Sequence, residues 1–337
     1  MAARRVIVVG GGIAGAAAAW HLVRSGAAVT LFRDGRPGAT AASYGWLGTL
    51  ATEPPLPAVI ARRLEALAEY TRLASDLGPL PVAARGTIAW GENDDATAAR
   101  IDALRAAGVR IESLSRRAVL ARVPRLAAPA LAAWAPDEMA VESGRLAAQL
   151  MAAATAAGAT LIDGRVEAVL TASGRTTGVR ADGRDVTADQ VLLANGVGGV
   201  TLARSAGVTL RVNASPAMLL RFDAPPDRLR HLVYAGELEV RPGLDGGLVS
   251  AADVPPGGTA GVAAMAADYA RAIADLLRLP APPVCRSAAT AERPMPVDGP
   301  ICGALEGCAG LFGLVAHPGV LLAPLLGREV AAAIAGD

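Results

Sequence analysis

Two hydrophobic periods alternate along the chain. Short continuous apolar runs, "VIVVG" (6–10) and "AAVTLF" (27–32), are rich in β-branched residues and predict buried strands. Between them, Ala16 to Arg24 predicts a helix. Apolar residues at helical spacing predict further helices over 56–78, 95–108, 142–158 and 262–279, and a last one after the "AHPG" turn. Strands are predicted at "GTIAW" (86–90) and "LFGLV" (311–315), after Gly158, and twice more after 166. A buried "QVLLA" then runs into "NGVGG" (195–199). Segments 211–226 and 231–252 alternate like antiparallel strands, "GGTAG" leads into the helix at 262, and "LPAPP" (279–283) reads as a linker. No internal repeat is visible.

Composition narrows the classes. The 337 residues are 53% hydrophobic and 19% charged, enough for a large core in one or two domains and unlike a disordered chain. A net charge of +1 gives no electrostatic case for nucleic acid or an anionic membrane. The chain has no lysine, so no lysine can act as base, Schiff-base former or oxygen activator. Three cysteines lack C-x-x-C spacing, and three scattered histidines make no zinc site; both suit a reducing cytoplasm without metal or disulfides. The leading "RR" before an apolar run imitates a signal peptide. The glycine turn explains that run better, and no later stretch reads as long and apolar enough to cross a bilayer, so a cytoplasmic protein is expected.

The glycines carry the first chemical signal. Gly10, Gly12 and Gly15 form G-x-G-x-x-G between a strand and a helix, with a second strand following. Gly10 permits the tight turn, Gly12 lets a pyrophosphate approach the backbone, and Gly15 lets helix and strand pack closely. The helix start offers free N–H groups and a positive dipole end to phosphate. A bound dinucleotide is predicted. Its kind stays open here. The second strand ends in Arg33 and Asp34, where a carboxylate would accept ribose hydroxyls and an arginine would suit the 2′-phosphate of NADP. "GATAASYGWLGTL" (38–50) is small and glycine-rich, suited to wrap a pyrophosphate and enter a site.

Four stretches, "VIVVGGGIAG", "TAASYGWLG", "DQVLLANGVGG" and "ERPMPVDGPICG…LFGLVAHPGVLLAPLLG", resemble in order and spacing the D-amino-acid-oxidase-type FAD-dependent oxidoreductases: the glycine oxidase, sarcosine oxidase and D-amino acid dehydrogenase group. The resemblance implies an α/β fold: a Rossmann-type FAD-binding domain (1–78, 142–205 and 286–337) with an inserted α+β substrate domain on an antiparallel sheet (79–141 and 206–285). It implies FAD, held without a covalent bond, because the region where some relatives attach flavin has no cysteine after Cys285. Motif and resemblance together assign the cofactor to Gly10, Gly12, Ile13, Ala14 and Gly15; to Phe32, Arg33 and Asp34; and to Thr40, Ala41, Ala42, Ser43, Gly45, Trp46 and Leu47. Val166, Ala194, Asn195 and Gly196 follow, then Arg293, His317, Pro318, Gly319, Val320 and Leu321. Pro318 replaces a residue that is commonly small and polar. Arg33 is expected to cover the adenine, and Asp34 to reach the ribose.

Amine or amino-acid oxidation is the activity the resemblance implies, with oxygen or another acceptor taking the electrons. Arg293 is the expected fork for a substrate carboxylate; a salt bridge to Glu292 or Asp298 competes with that role. Arg241 is a second candidate, though a solvated strand-end charge is the readier reading. Tyr234 offers a hydroxyl. His317 offers charge stabilisation or a helix cap, and Trp46 lines the ring or packs in the core. His21 and His231 read as structural. A same-fold dehydrogenase and a non-catalytic flavin-binding subunit are the alternatives.

Overall fold

The run that opens the chain becomes the centre of a sheet. In the computed structural model, which describes residues 3–224, 229–255 and 258–336, strand Arg5–Val9 lies between Ala28–Arg33 and Gln190–Leu193, parallel to both. Thr160–Asp163 and Leu311–Val315 extend the parallel set, and Ile301–Ala304 closes one edge antiparallel. Val6 to Val9 and Gln190 to Leu193 are buried throughout, as strands covered on both faces must be. Helices Ile13–Arg24, Pro57–Leu77, Ser143–Ala156 and Gly319–Gly336 share the core on one face. On the other face Ile7, Val9, Phe32 and Leu193 meet an antiparallel sheet of Val166–Ala172, Arg175–Ala181 and Arg184–Thr187.

The second large sheet runs Cys285–Pro296, Val212–Phe222, Leu248–Asp253, Leu238–Pro242, Leu232–Ala235, Val82–Trp90, Leu131–Val141, Trp46–Leu47. Glu112–Ser115 pairs onto Leu131–Val141. Pairing is antiparallel except where Leu232–Ala235 runs parallel to Val82–Trp90. Helix Val262–Leu277 packs its apolar face on this sheet through Ala266, Ala270 and Ile273. The boundary expected at 286 falls inside strand Cys285–Pro296, which pairs along its length with Val212–Phe222. Trp46–Leu47 likewise leaves the early segment to join this sheet. Strand Cys285–Pro296 lies at the sheet edge, which tolerates Pro294 and Pro296.

Several elements differ from expectation. Leu131–Val141, Glu112–Ser115 and helix Arg116–Arg122 lie in a stretch whose alanines and arginines give no clear period. Three strands rather than two fill the region from Val166 to Thr187. Parts of the segments expected at 211–226 and 257–261, and the extreme residues of the expected FAD-binding domain, lie outside the described residues. One expectation is corrected: helix Gly319–Gly336 is long and apolar enough to cross a membrane by length and composition. Most of it is buried within the protein, because neighbouring helices cover it.

The covering is close. A Cβ added at Gly327 would sit 2.9 Å from the Ala17 carbonyl carbon and 3.0 Å from the Ala18 nitrogen. Backbone cannot yield as a side chain can. Gly327→Leu is therefore expected to destabilise by about 1–3 kcal/mol, the range for overpacking a core. Urea denaturation measures it; an unchanged midpoint would contradict the tight helix crossing.

Candidate cofactor and substrate site

The glycine turn is built as its spacing requires at two positions. Gly10 has φ of 120°, and a Cβ there would lie 2.6 Å from the Ala194 carbonyl oxygen. A Cβ at Gly15 would fall on the Gly10 carbonyl oxygen, so only glycine lets the helix seat against the strand. Gly12 caps the helix Ile13–Arg24 without a side-chain acceptor, and an added Cβ would meet only Thr40 Oγ1, at 3.0 Å. Ile13 N–H donates to that same hydroxyl at 3.0 Å. Ala14 and Gly15 complete the first turn of this helix. Gly11 escaped the sequence reading: a Cβ there would lie 2.6 Å from Arg33 Cβ, so it too must be glycine for the second strand to pass.

Arg33 and Asp34 are each engaged by a neighbour. Arg33 pairs with Asp163 across the register of adjacent parallel strands, and Asp163 holds its guanidinium's pKa up. Asp34 takes Nε and Nη2 of Arg36 at 2.8 and 2.6 Å. The end of this strand is thus a pair of surface ion pairs rather than a free carboxylate. Phe32 is buried beneath them. At the neighbouring strand end, Ala194 N–H donates to the Val9 carbonyl at 2.9 Å, and Asn195 Oδ1 is buried without a partner. Gly196 has φ of 60°, and a Cβ there would meet Pro294 at 3.7 Å, which brings this turn to the large sheet. Val166 packs in the core under the same turn side.

Two buried carboxylates order the segment after Gly38. Glu138 accepts from Trp46 Nε1 at 2.8 Å, Thr49 N–H at 2.6 Å, Thr49 Oγ1 at 3.0 Å and Leu50 N–H at 2.9 Å. Upstream, Ala41 N–H bonds Gly38, Ala42 packs beside Tyr44, and Ser43 Oγ accepts from Gly45 N–H at 3.3 Å. Ser143 Oγ donates to the Thr40 carbonyl at 2.8 Å. Gly45 has φ of 77° and presses on the Val141 carbonyl; Leu47 is fully buried. The second carboxylate, Glu142, accepts from Arg241 Nη1 at 2.8 Å and Arg221 Nη2 at 2.6 Å. Burial pushes its pKa up, but these two guanidiniums outweigh burial and hold it down at about 2.

Arg241 is fully buried, which overturns its reading as a solvated charge. Its Nε donates to the Tyr44 carbonyl at 2.7 Å. Arg293 pairs with neither expected partner: its Nη2 donates to Ser215 Oγ at 2.8 Å and bonds Asp253, while Asp298 pairs with Arg211. Its Nε is buried and unpartnered. The Trp46 ring lies 5.3 Å from the Tyr234 ring and 6.5 Å, edge-on, from Tyr44. His317 opens the last turn through a cis bond to Pro318. It is solvent-accessible, yet crowding by protein, then the charges of Arg293 and Arg63, push its pKa down. Gly319 starts the helix with open space where a Cβ would be. Val320 and Leu321 are buried, and Tyr70 Oη donates to the Val320 carbonyl. His231 bonds the Arg85 carbonyl at 2.7 Å and meets Trp134 edge-on, and His21 is packed within the first helix, in keeping with structural roles.

A mainly parallel sheet whose glycine turn leads into a helix, with a second large sheet carrying arginines and tyrosines, defines an α/β protein. The chain belongs to the FAD dependent oxidoreductase family, whose model matches residues 5–333. Glycine oxidase of Geobacillus kaustophilus (strain HTA426) is 29% identical over 242 residues, which are 68% of this chain and 64% of that relative's length. The solved structure of glycine oxidase from Geobacillus kaustophilus superposes with a TM-score of 0.84 at 25% identity, covering 99% of this chain and 95% of that one. Iminodiacetate oxidase from Chelativorans sp. BNC1 has a TM-score of 0.86 at 21% identity, over 99% and 96% of the two chains, and so shares the fold. The expected α/β architecture is thereby established.

Removing Glu142 would strand Arg241 in the interior. Glu142→Ala should cost about 3–5 kcal/mol at neutral pH, the range for breaking a buried pair. Because the carboxyl is held near 2 against an ordinary 4.5, its contribution is present above about 4.5 and is lost as pH falls through about 2. The gap between wild type and variant should narrow over that window in denaturation at successive pH values. A gap that widens on acidification would contradict the assignment.

Proposed function

We propose that the protein catalyses FAD-dependent oxidation of an amine or amino acid at the C–N bond, giving an imine that hydrolyses. The observation that carries this reading is a cradle fitted to a dinucleotide facing a guanidinium with an unsatisfied buried donor. Gly12 starts the first helix with no side chain of its own, only the Thr40 hydroxyl standing near, and Arg293 Nε is buried with no partner among the described residues. Gly10 to Gly15, the turn at Asn195 and Gly196, and the segment from Thr40 to Leu47 would hold FAD non-covalently. The start of helix Gly319–Gly336 would direct N–H groups to it. Bound FAD would supply the two-electron acceptor for a hydride from the carbon next to nitrogen, with O2 as the terminal oxidant that yields H2O2.

The chain's own part is orientation and electrostatics. Arg293 grips the substrate carboxylate in a fork that fixes charge and plane. Tyr234 and Trp46 close the site on the sheet side, their rings tilted against each other. His317, its proton affinity lowered, stays neutral at physiological pH and offers a ring nitrogen rather than a charge. A same-fold dehydrogenase is the second reading, favoured by the absence of lysine near the site. Peroxide production under air, compared with reduction of an artificial dye, separates the two: oxidase action predicts stoichiometric peroxide, and dye reduction without peroxide contradicts it.

Two further outcomes follow. Heat or acid should release FAD, and not NADP, from yellow protein, while Gly12→Val should fold without it, since the added side chain fills the phosphate approach. Flavin content equal to wild type in folded Gly12→Val would put the phosphates elsewhere. Arg293→Lys should keep FAD but lose about 2–4 kcal/mol in kcat/KM, because lysine lacks the fork. Full activity in that variant would move the carboxylate anchor to another residue.

A further inference from the structure

Strand Leu238–Pro242 carries Glu239 and Arg241 two positions apart, so both side chains leave one face of the sheet. Arg241 is fully buried and paired to Glu142. Glu239 differs. It is half-buried, and among the described residues its carboxyl has no hydrogen bond or ion pair; only its backbone carbonyl is used, by Ser250 Oγ. A carboxyl so placed usually finds a partner inside the protein or in a ligand.

The charged and titratable groups around it come from every neighbouring element. Arg241 shares its strand, and the Arg293 charge, on strand Cys285–Pro296, is felt at its carboxyl. Tyr44 lies before Trp46–Leu47, Tyr234 lies opposite on Leu232–Ala235, and Tyr269 comes from helix Val262–Leu277; each feels the Glu239 charge. Burial lifts the Glu239 pKa to about 8, against the opposing pull of the two arginines. Arg293 meanwhile keeps a buried Nε without an acceptor. Arg241 Nη2 is buried without a partner too, and Arg293 Nη2 is held by Ser215 and Asp253. An unpartnered acid within electrostatic reach of guanidiniums that keep unsatisfied donors complements a small zwitterion whose ammonium and carboxylate are one carbon apart.

Resting on the amine-oxidation reading above, we propose that Glu239 binds the substrate ammonium and accepts its proton, so that Glu239 and Arg293 together select α-amino acids as zwitterions. One proton passes from R–NH3+ to a Glu239 oxygen, leaving R–NH2 and a neutral carboxylic acid; no electrons move in that step. The freed nitrogen lone pair then supports loss of hydride from the adjacent carbon, which an ammonium forbids. A proton affinity lifted towards that of an amine suits the acceptor to this transfer. Tyr234 lies directly opposite Glu239 on the paired strand, where the acid that results is formed.

The test uses FAD-loaded wild type, Glu239→Gln and Glu239→Asp. Glycine, sarcosine and D-alanine serve as substrates, and glycolate, a carboxylate without ammonium, serves as a dead-end ligand followed by perturbation of the flavin spectrum. Glu239→Gln should raise KM for the preferred amino acid about tenfold and lower kcat by a further factor of about ten. It should also abolish the kcat/KM limb near pH 8, along which wild-type activity rises as Glu239 ionises, while the limb set by the substrate amine remains. Glycolate affinity should be unchanged or tighter, and Glu239→Asp should recover part of the loss. Equal weakening of glycolate and amino acid would show a structural role and overturn the proposal, as would unchanged kcat/KM in Glu239→Gln. A wild-type flavin reduced by no amino acid would remove the underlying reading instead, a failure visible without any variant.

Discussion

The joint between the two sheets rests on one buried carboxylate. Glu142 ends strand Leu131–Val141 and caps helix Ser143–Ala156, so its backbone belongs to both halves of the molecule. Its side chain holds Arg241 and Arg221 from the large sheet, and Arg241 in turn holds the Tyr44 carbonyl in the segment that leads to Trp46. Next to it, Ser143 bonds the Thr40 carbonyl, and Thr40 bonds the start of the first helix. Five contacts thus link the large sheet to the start of the first helix. Ion pairs in an interior are costly unless their geometry is complete; here the Tyr44 and Pro242 carbonyls accept from Nε and Nη1 of Arg241, while its Nη2 is buried with no partner among the described residues. The depressed Glu142 pKa is the electrostatic mark of its two guanidiniums.

Most of the scaffold was legible in the sequence because its signals are local. Gly10 and Gly15 announce a turn and a close packing that depend on a handful of neighbouring atoms. The strand "LFGLV" occurs at the residues where its apolar run stands. Elements that rely on distant partners were not legible. Leu131–Val141 is a strand because Val82–Trp90, Glu112–Ser115 and Trp46–Leu47 all pair with it, and its alanine-rich sequence carries no alternation of its own. Arg241 looked like a strand-end charge because Glu142, its partner, lies 99 positions away in sequence. The same holds for Arg33, whose partner Asp163 lies on a neighbouring strand distant in sequence. Glu239 gave no motif at all; only the folded sheet sets it beside Arg293.

A site without lysine places unusual weight on arginine. Guanidiniums keep their charge when buried and hold fixed forks, so they suit the anchoring of Glu142 and of a substrate carboxylate alike. They cannot exchange protons near neutrality. Other groups have had their proton affinities moved by their surroundings: Glu239 upward by burial, His317 downward by crowding and positive charge. The arrangement is coherent with removal of a hydride from a carbon whose neighbouring nitrogen must first lose a proton.

The central claim is that this fold reduces a bound flavin with an amine. Anaerobic mixing of the purified yellow protein with glycine, sarcosine, D-amino acids, proline and polyamines, while the visible flavin band is followed, tests it with no assumption about the electron acceptor. The account predicts that at least one amino acid bleaches the band, and that replacing the hydrogen on its α-carbon with deuterium slows the bleaching. A flavin that stays oxidised with every amine in the panel would contradict it.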